Sequence, residues 1–292
     1  MLHRLIYSDW DHPPESMAFE APYEEILARI KALLPGILAG KDEALDSPAT
    51  MPPGYWDDCI ALYLLTPALV NISLNFKVCV EQGLPLHPTY YFEVSEATRF
   101  QATYPAHMIE RTNGFFISSI ETARMLYALE PDAVERLDRF ICDLPEVISG
   151  FIYTSTKDKY TWRASNPAKI KDLADYIQKH VSPTLIVGAA HGSILSGLIL
   201  ANTLKVPLYF IRFSMFKRND AAPIIAPSDR AFLEPYRDGP VLLFDEDVAK
   251  GTTLTKFAAT LQPFFQESYT ASVLRHALSP CKPDFVGRSW HD

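Results

Sequence analysis

Carboxylate and hydroxyl side chains are concentrated between residues 241 and 254, in an order that allows chemistry. The apolar residues 241–244 predict a short buried strand, and two acids, Asp245 and Glu246, follow at its carboxyl end. A short turn from Ala249 to Thr253 comes next, and a helix is predicted after it. The buried stripe of that helix is Leu254, Phe257, Ala258 and Leu261. The acids and the turn are therefore expected to lie at one edge of a sheet.

A strand, a small turn and a helix in this order direct backbone N–H groups and the positive end of a helix dipole at one point, which suits an anion. Gly251 allows close backbone approach, and Thr252 and Thr253 add hydroxyl donors. Acids beside an anion site make sense if the ligand is a phosphorylated sugar. The turn then takes the phosphate, and Asp245 and Glu246 accept from vicinal hydroxyls or hold Mg²⁺.

This stretch resembles the 5-phosphoribosyl-1-pyrophosphate (PRPP) signature of the type I phosphoribosyltransferases: a hydrophobic strand, paired acids, a four-residue spacer, a glycine and then a threonine. One position departs from the family pattern, since Lys250 stands where a threonine is usual. The resemblance implies Asp245 and Glu246 as the residues that hold Mg²⁺. It implies a PRPP site made of Asp245, Glu246, Ala249, Lys250, Gly251, Thr252 and Thr253. Taken alone, the residues also fit an ordinary strand–turn–helix unit with exposed acids.

A second small loop follows the apolar strand 184–188 and consists of Ala189, Ala190, His191, Gly192 and Ser193. In the resembling family the corresponding loop binds pyrophosphate, often with a basic residue followed by two glycines. Here Gly192 keeps the first glycine and Ser193 replaces the second, while His191 is a candidate donor to the anion. The loop by itself also fits a strand–helix turn without a ligand. Neither the dinucleotide glycine fingerprint nor a Walker lysine motif is present.

The stretch 213–239 is long, contains several prolines and shows little periodicity, which is typical of a lid or a disordered segment. In the resembling family this position holds a flexible catalytic loop whose basic residues close over the pyrophosphate. Lys217 and Arg218 are the catalytic candidates that the resemblance implies. Charges in solvated surface positions are the alternative interpretation of both residues.

The segment 282–287, Lys-Pro-Asp-Phe-Val-Gly, resembles one near the end of the 6-oxopurine phosphoribosyltransferases. Phe285 and Trp290 are accordingly the candidates for contacting a base. That family continues past this segment to its purine-stacking residue, whereas this sequence stops at Asp292. Simple packing of both aromatic side chains is the alternative.

Strands and helices alternate from about residue 165 onward, with further strands predicted at 206–212 and 269–276. This alternation predicts a doubly wound parallel sheet with its ligand at the carboxyl ends of the strands. The resemblance covers about 165–292 and implies an α/β, type I phosphoribosyltransferase-like fold, a parallel sheet flanked by helices. We expect two domains: a phosphoribosyltransferase-like α/β domain over 151–292 and a mainly helical domain over 1–150 that serves as a hood.

The first half carries no motif that identifies a reaction, and some of its elements are ambiguous. Residues 66–83 read as a helix, although the alternation of Leu74, Phe76, Val78 and Val80 equally suits a strand. The segment 89–94 is aromatic and predicts a strand. Ser118 to Glu121 resembles a capping box and predicts a helix start. The segment 151–162 is expected to be irregular or a hairpin.

Composition limits the functions of a 292-residue chain that is 48% hydrophobic and 21% charged. A net charge of −8 argues against a general binder of nucleic acid or of anionic membranes. The most apolar run, 59–74, is too short to span a bilayer. No leader pattern or cysteine pair is apparent, so a reduced, cytoplasmic protein is expected.

The resemblance implies transfer of 5-phosphoribose from PRPP to a small nitrogenous base, with a purine favoured, and release of pyrophosphate. Mg²⁺ is the implied cofactor, and a homodimer is a possible assembly. The main rival hypothesis is a non-catalytic regulator that binds PRPP or a nucleotide on the same fold, and a third is another phosphosugar reaction, such as phosphorolysis or hydrolysis of a nucleoside 5′-phosphate. Lys250 and Ser193 are the departures that favour this rival.

Overall fold

The computed structural model describes residues 1–215 and 218–290, and a five-stranded sheet in the order β4-β3-β5-β6-β7 lies at its centre. Every neighbouring pair of strands in this sheet is parallel. The strands are β3 (Leu185–Ala190), β4 (Leu208–Arg212), β5 (Pro240–Val248), β6 (Glu267–His276) and β7 (Phe285–Trp290). The expected α/β fold, a parallel sheet flanked by helices, is confirmed.

Burial explains why these segments form central strands. Every residue of β3 is buried, and residues 241–244 of β5 have no exposed surface, as expected for strands covered on both faces. Helices connect and cover them: α7 (Lys159–Ala164), α8 (Pro167–Gln178), α9 (Ile194–Leu204), α10 (Pro227–Leu233) and α11 (Thr252–Leu261). Asn166 caps α8 as its sequence predicts, because its side chain accepts from the Ala168 N–H.

The order of the strands places a crevice between β3 and β5. The chain passes from β3 to β4 on one side and then returns to place β5 on the other side, which is a topological switch point. Gly188 of β3 pairs with Phe244 of β5. The segments that follow these two residues therefore leave the same edge of the sheet side by side.

The first half of the chain is largely helical, as expected. Its helices are α1 (Tyr23–Asp46), α2 (Pro53–Leu65), α3 (Pro67–Glu81), α4 (Ala106–Ala128), α5 (Ala133–Cys142) and α6 (Glu146–Ser149). Only Thr66 separates α2 from α3, and Pro67 occupies a first-turn position that a helix tolerates. The combined stretch Pro53–Glu81, which is longer than the run 59–74, is long and apolar enough to cross a membrane by length and composition only, and its most apolar window is 83% buried within the fold.

The two halves of the chain share one hydrophobic cluster. A short strand, β1 (Phe19–Pro22), pairs antiparallel with β2 (Ile152–Ser155), so a strand of each half contributes to one small sheet. The Tyr63 hydroxyl on α2 donates to the Ser165 carbonyl at 2.6 Å. These contacts hold the helices of the first half against the α/β half.

Several predictions for the first half are decided or overturned. Residues 67–81 form a helix, so the strand alternative is wrong. Helix α4 begins at Ala106, so the predicted helix start at Ser118 to Glu121 is wrong. These residues lie inside the helix, where the Ser119 hydroxyl donates back to the Phe116 carbonyl at 2.6 Å. Residues 89–93 form no strand, since they have no ladder partner among the described residues.

Two predictions for the second half also change, and one strand was not predicted. The segment 151–162 contains β2 and most of α7, which Asp158 caps by accepting from the Tyr160 and Thr161 N–H groups. Part of the stretch 213–239 is ordered as α10 and a 3₁₀ turn, Glu234–Tyr236. Strand β7 was not predicted, because prolines precede it and its side chains alternate only weakly.

Candidate functional site

The paired acids lie at the carboxyl end of β5. Asp245 still pairs with Ser272 of β6, and its side chain is 7% exposed. The Glu246 backbone N–H donates to Asp245 Oδ1 at 3.2 Å, which fixes the first carboxyl beside the second. Glu246 Oε2 is buried without a hydrogen-bond partner among the described residues. Asp245 is thus buried and Glu246 half-buried at the sheet edge, unlike the exposed acids of an ordinary turn.

Burial controls the protonation of these two acids. It raises the pKa of the Asp245 carboxyl above its ordinary value; a hydrogen bond from Glu246 lowers that pKa and the charge of Asp247 raises it. Burial also raises the pKa of Glu246 well above its usual range, and the charge of Asp245 raises it further. Burial thus disfavours two adjacent negative charges at this site. A cation, or hydroxyl donors, would compensate them.

The turn from Ala249 to Thr253 has the shape that its glycine predicts. Gly251 has φ +75°, in the left-handed region, and it precedes the ten-residue helix α11. A Cβ at this position would also lie 2.0 Å from the Cβ of Cys281, so close packing and backbone conformation both require glycine. The first turn of a helix has N–H groups without an intrahelical partner, and Thr252 and Thr253 of this turn line the cavity described below.

The 189–193 loop lies directly beside the acid pair. A Cβ on Gly192 would approach Glu246 Oε1 to 1.9 Å, so the glycine leaves the space that the carboxyl occupies. The hydroxyl of Ser193 is fully buried and donates to the Ala189 carbonyl at 2.7 Å. The Ala190 carbonyl accepts from the Phe213 N–H at 2.9 Å. The hydrogen bonds of Ser193 and Ala190 thus fix the conformation of the loop.

A cavity of about 610 Å³ opens in front of both loops. We call the side of the cavity at the sheet edge the sheet wall; it is formed by the carboxyl ends of β3 and β5 and by the loops that follow them. The predicted residues on this wall are Ala189, His191, Gly192, Asp245, Glu246, Ala249, Lys250, Gly251, Thr252 and Thr253. The structure brings the two predicted loops together in one space, while Ala190 and Ser193 lie behind its surface.

The catalytic candidates differ in what the structure describes. Lys217 lies outside the described residues. Arg218 lines the cavity, donates to Glu93 Oε1 at 3.1 Å and stacks its guanidinium 4.9 Å from the centre of the Tyr91 ring. Glu93 also pairs with Arg212, at 2.5 Å. Arg218 is therefore held at the cavity by residues from the first half of the chain.

The two base-binding candidates lie elsewhere. Phe285 is 5% exposed and packs against Tyr176 and Tyr269, with ring centres about 5.5 and 5.6 Å apart. The guanidinium carbon of Arg163 lies over the Trp290 ring, 4.2 Å from the ring centroid. Neither aromatic residue is among the described residues that line the cavity.

Another part of the cavity lining comes from the first half of the chain, and the sequence did not single out the two asparagines in it. We call it the helical wall and define it by Asn71 and Asn75 of α3 together with Tyr91. Asn75 is 2% exposed, and its Nδ2 donates to Asn71 Oδ1 at 3.0 Å. Two asparagines at i and i+4 on a largely apolar helix are the signal that could have revealed this wall.

The oxygen-rich acid pair fits Mg²⁺ by its chemistry, and its buried, unsatisfied Glu246 oxygen fits a further partner. No group of three or more metal-ligating side chains occurs within 1–215 and 218–290. Two carboxylates are a usual protein contribution to Mg²⁺, which takes its other ligands from phosphates and water. Asp245 and Glu246 would thus hold the ion together with a phosphorylated ligand.

Comparison with known proteins gives similarity to part of this chain only. No family model and no curated protein matches the sequence. Among solved structures, purine phosphoribosyltransferase from Pyrococcus horikoshii Ot3 is 21% identical over 43% of this chain and 83% of its own, with a TM-score of 0.35. A hypothetical protein from Neisseria gonorrhoeae with bound ppGpp is 18% identical over 44% and 80%, with a TM-score of 0.36.

A third similar structure is the xanthine-guanine-hypoxanthine phosphoribosyltransferase of Helicobacter pylori. It is 19% identical over 41% of this chain and 77% of its own length, with a TM-score of 0.32. Scores and identities this low do not assign an activity. A function for this chain therefore has to be argued from its own site residues.

Proposed function

We propose that this protein transfers 5-phosphoribose from PRPP to a small nitrogenous base and releases pyrophosphate, with a purine as the favoured acceptor. The observation that carries the proposal is the single cavity shared by the acid pair, the 249–253 turn and the 189–193 loop. PRPP has a ribose diol, a 5-phosphate and a pyrophosphate. Each of these groups has a chemically matched region on the sheet wall.

The 249–253 turn receives the 5-phosphate. Backbone N–H groups at the start of α11 and the hydroxyls of Thr252 and Thr253 donate to its oxygens. Lys250 lines the cavity and is exposed, so its ammonium can approach the same phosphate as a flexible point charge. The fixed part of this site is backbone, and the adjustable part is the lysine.

Asp245 and Glu246 receive the ribose hydroxyls, or Mg²⁺, which compensate the charge of the two carboxylates. Mg²⁺, when bound, supplies positive charge that neutralises the pyrophosphate oxygens. The small residues of the 189–193 loop allow the diphosphate to approach the backbone, and His191 lies at the cavity as a donor. Arg218 supplies further positive charge if it exchanges Glu93 for the pyrophosphate, and Lys217 is proposed to act with it.

In the reaction, the bond from C1 of the ribose to pyrophosphate breaks and a bond from C1 to a ring nitrogen forms. The base loses the proton of that nitrogen. The transition state resembles an oxocarbenium ion, so the leaving pyrophosphate must be stabilised by fixed donors. Water must also be excluded, because it would hydrolyse the activated sugar.

A non-catalytic PRPP- or nucleotide-binding regulator is the second candidate. Ser193 favours it, because this residue replaces a loop glycine and its hydroxyl is already used by the Ala189 carbonyl. Lys250 favours it as well, because a lysine lacks the short, fixed hydroxyl of threonine. A regulator would keep the binding groups of the sheet wall without turnover.

A ligand-stabilisation screen tests the proposal. Unfolding temperature is measured with PRPP alone, with Mg²⁺ alone, with both, and then with purines, pyrimidines and mononucleotides. PRPP with Mg²⁺ is expected to raise the unfolding temperature more than either one alone, because each provides ligands for the other. No stabilisation by PRPP at any Mg²⁺ concentration would contradict both the enzyme and the PRPP-regulator forms of the proposal.

A further inference from the structure

Helix α3 is buried, and nearly all of its polar side chains are satisfied within the fold. The Ser73 hydroxyl donates to the Leu69 carbonyl at 2.7 Å. Lys77 Nζ donates to Asp229 at 2.7 Å and to Glu81 at 3.1 Å. Asn75 differs: its Oδ1 is buried and has no hydrogen-bond partner among the described residues. A buried amide oxygen is costly to leave without a donor.

This oxygen belongs to a side chain that lines the cavity. Asn71 and Asn75 are one turn apart on the same face of α3, and both contribute to the cavity that holds the acid pair. The Nδ2 of Asn75 is used by Asn71 Oδ1, at 3.0 Å. The pair therefore offers an acceptor on Asn75 and N–H donors on Asn71. If the oxygen and nitrogen of both carboxamides are exchanged, Asn71 offers the acceptor and Asn75 offers the N–H donors.

We propose, on the basis of the proposed function, that Asn75 and Asn71 recognise the acceptor base. Asn75 Oδ1 accepts an N–H of the ring, and the Asn71 amide donates to the carbonyl beside it. The ligand class is a planar nitrogen heterocycle whose edge carries an N–H next to a carbonyl group. Such an edge matches the carboxamide pair in both hydrogen-bond directions.

Charge separates this subsite from the rest of the cavity. The two carboxamides carry no net charge, so they cannot neutralise the charge of a phosphate, a pyrophosphate or Mg²⁺ as the acids and Arg218 can. An uncharged base is the component of the proposed reaction that they fit. A site built to hydrogen-bond a substrate discriminates strongly against an analogue that lacks the group, because its buried partners are then left unpaired.

The test compares wild type with Asn75→Leu, Asn71→Ala and the control Ser73→Ala, which changes a polar residue of α3 that bonds within its own helix. Calorimetry measures binding of hypoxanthine, 1-methylhypoxanthine, adenine and uracil, each alone and with ribose 5-phosphate. Binding of Mg²⁺–PRPP is measured separately, and thermal unfolding is recorded for every variant.

We expect Asn75→Leu to raise the dissociation constant of the tightest-binding base at least about tenfold. Its affinity for PRPP should stay within about twofold, and its unfolding temperature should be equal or higher, because a buried unsatisfied amide is replaced by an apolar side chain. Methylation of the ring N–H should weaken binding to wild type and not to the variant. Asn71→Ala should weaken the same base if Asn75→Leu does not fold.

Equal base affinity in wild type and both asparagine variants would overturn the inference, as would failure of every base to bind wild type. Failure of PRPP to bind wild type, with base binding still dependent on Asn75, would instead reject the proposed function and keep the base subsite. The two results are distinguishable because PRPP and base are titrated separately.

Discussion

The two walls of the cavity present opposite chemistry to the same space. The sheet wall carries the carboxyls of Asp245 and Glu246 at the end of β5, together with backbone N–H groups and hydroxyls of the short loops that follow β3 and β5. The helical wall carries two neutral carboxamides and an aromatic ring from the first half of the chain. One wall suits a charged phosphosugar with a cation, and the other suits an uncharged base.

This difference shows how a charged and a neutral ligand group are held in different ways. In the proposed function, phosphate and diol recognition would depend on backbone conformation, such as φ +75° at Gly251 and the closeness of Gly192 to Glu246. The helical wall depends on side chains that a long helix presents one turn apart. Changes to the sheet wall should therefore alter PRPP binding without altering base binding.

The largest expected effect follows removal of both acids. Asp245→Asn with Glu246→Gln should weaken Mg²⁺–PRPP binding at least about tenfold, or ~1.4 kcal/mol, because neutral amides neither hold the cation nor accept as strongly from hydroxyls. Calorimetry gives the affinity. The control, Asp143→Asn with Glu146→Gln, changes two exposed acids away from the cavity. Unchanged affinity in the acid-site variant would remove these residues from the PRPP site.

Lowering the pH from about 8 to about 5 should weaken PRPP binding by about tenfold. Because burial raises the pKa of Asp245 and Glu246, both carboxyls gain protons as pH falls toward their ordinary range, and they must lose these protons when the ligand binds. The stability of the free protein should depend on pH in the opposite direction from PRPP affinity. It should decline as pH rises through the raised pKa values. Calorimetry and thermal unfolding over this range check both trends.

The amide double variant is the control for the pH experiment, because it cannot titrate at these positions. A pH dependence of affinity that is identical in wild type and in this variant would assign the effect to the ligand's own phosphates. A free protein whose stability does not change over the same range would contradict the burial argument.

A smaller effect is expected for Gly192→Ala. Its Cβ would meet Glu246 Oε1, the end of a flexible side chain, so the carboxyl moves away from its position while the fold persists. PRPP affinity should fall about fivefold, or about 1 kcal/mol, with little loss of unfolding temperature. Gly36→Ala is the matched control, since a Cβ there meets nothing within 4 Å. Equal PRPP affinity in both variants would show that the Glu246 position is unimportant.

The smallest effect is expected for Lys250→Thr. If the lysine pairs with the 5-phosphate, the change should lower PRPP affinity by about twofold and make the remaining binding less sensitive to salt. Titrations at two salt concentrations measure both quantities. Equal or improved affinity would instead make Lys250 a bystander and strengthen the regulator hypothesis.

The sheet wall could be predicted because its determinants are local in sequence. The apolar run 241–244, the acids, Gly251 and the helix stripe all lie within one strand–turn–helix unit. The parallel sheet follows from the repetition of such units. The approach of Gly192 to Glu246 required the register of β3 and β5, which a pattern of apolar residues does not specify.

The helical wall could not be predicted, because it depends on packing between distant segments. Asn71 and Asn75 are ordinary helix residues until α3 is placed over the sheet edge, and the alternation from Leu74 to Val80 left even the helix undecided. Residues 89–93 were expected in a strand because they are aromatic. Tyr91 instead packs against Arg218 and reaches the cavity from an irregular segment.

Release of pyrophosphate from PRPP in the presence of Mg²⁺, with and without each common purine and pyrimidine, measures phosphoribosyl transfer directly. If the protein catalyses this transfer, release requires both Mg²⁺ and one class of base, and it yields the matching mononucleotide in equal amount. The Asp245→Asn, Glu246→Gln variant should lose this release. PRPP that binds at the sheet wall but releases no pyrophosphate with any base would contradict catalysis and leave a regulator.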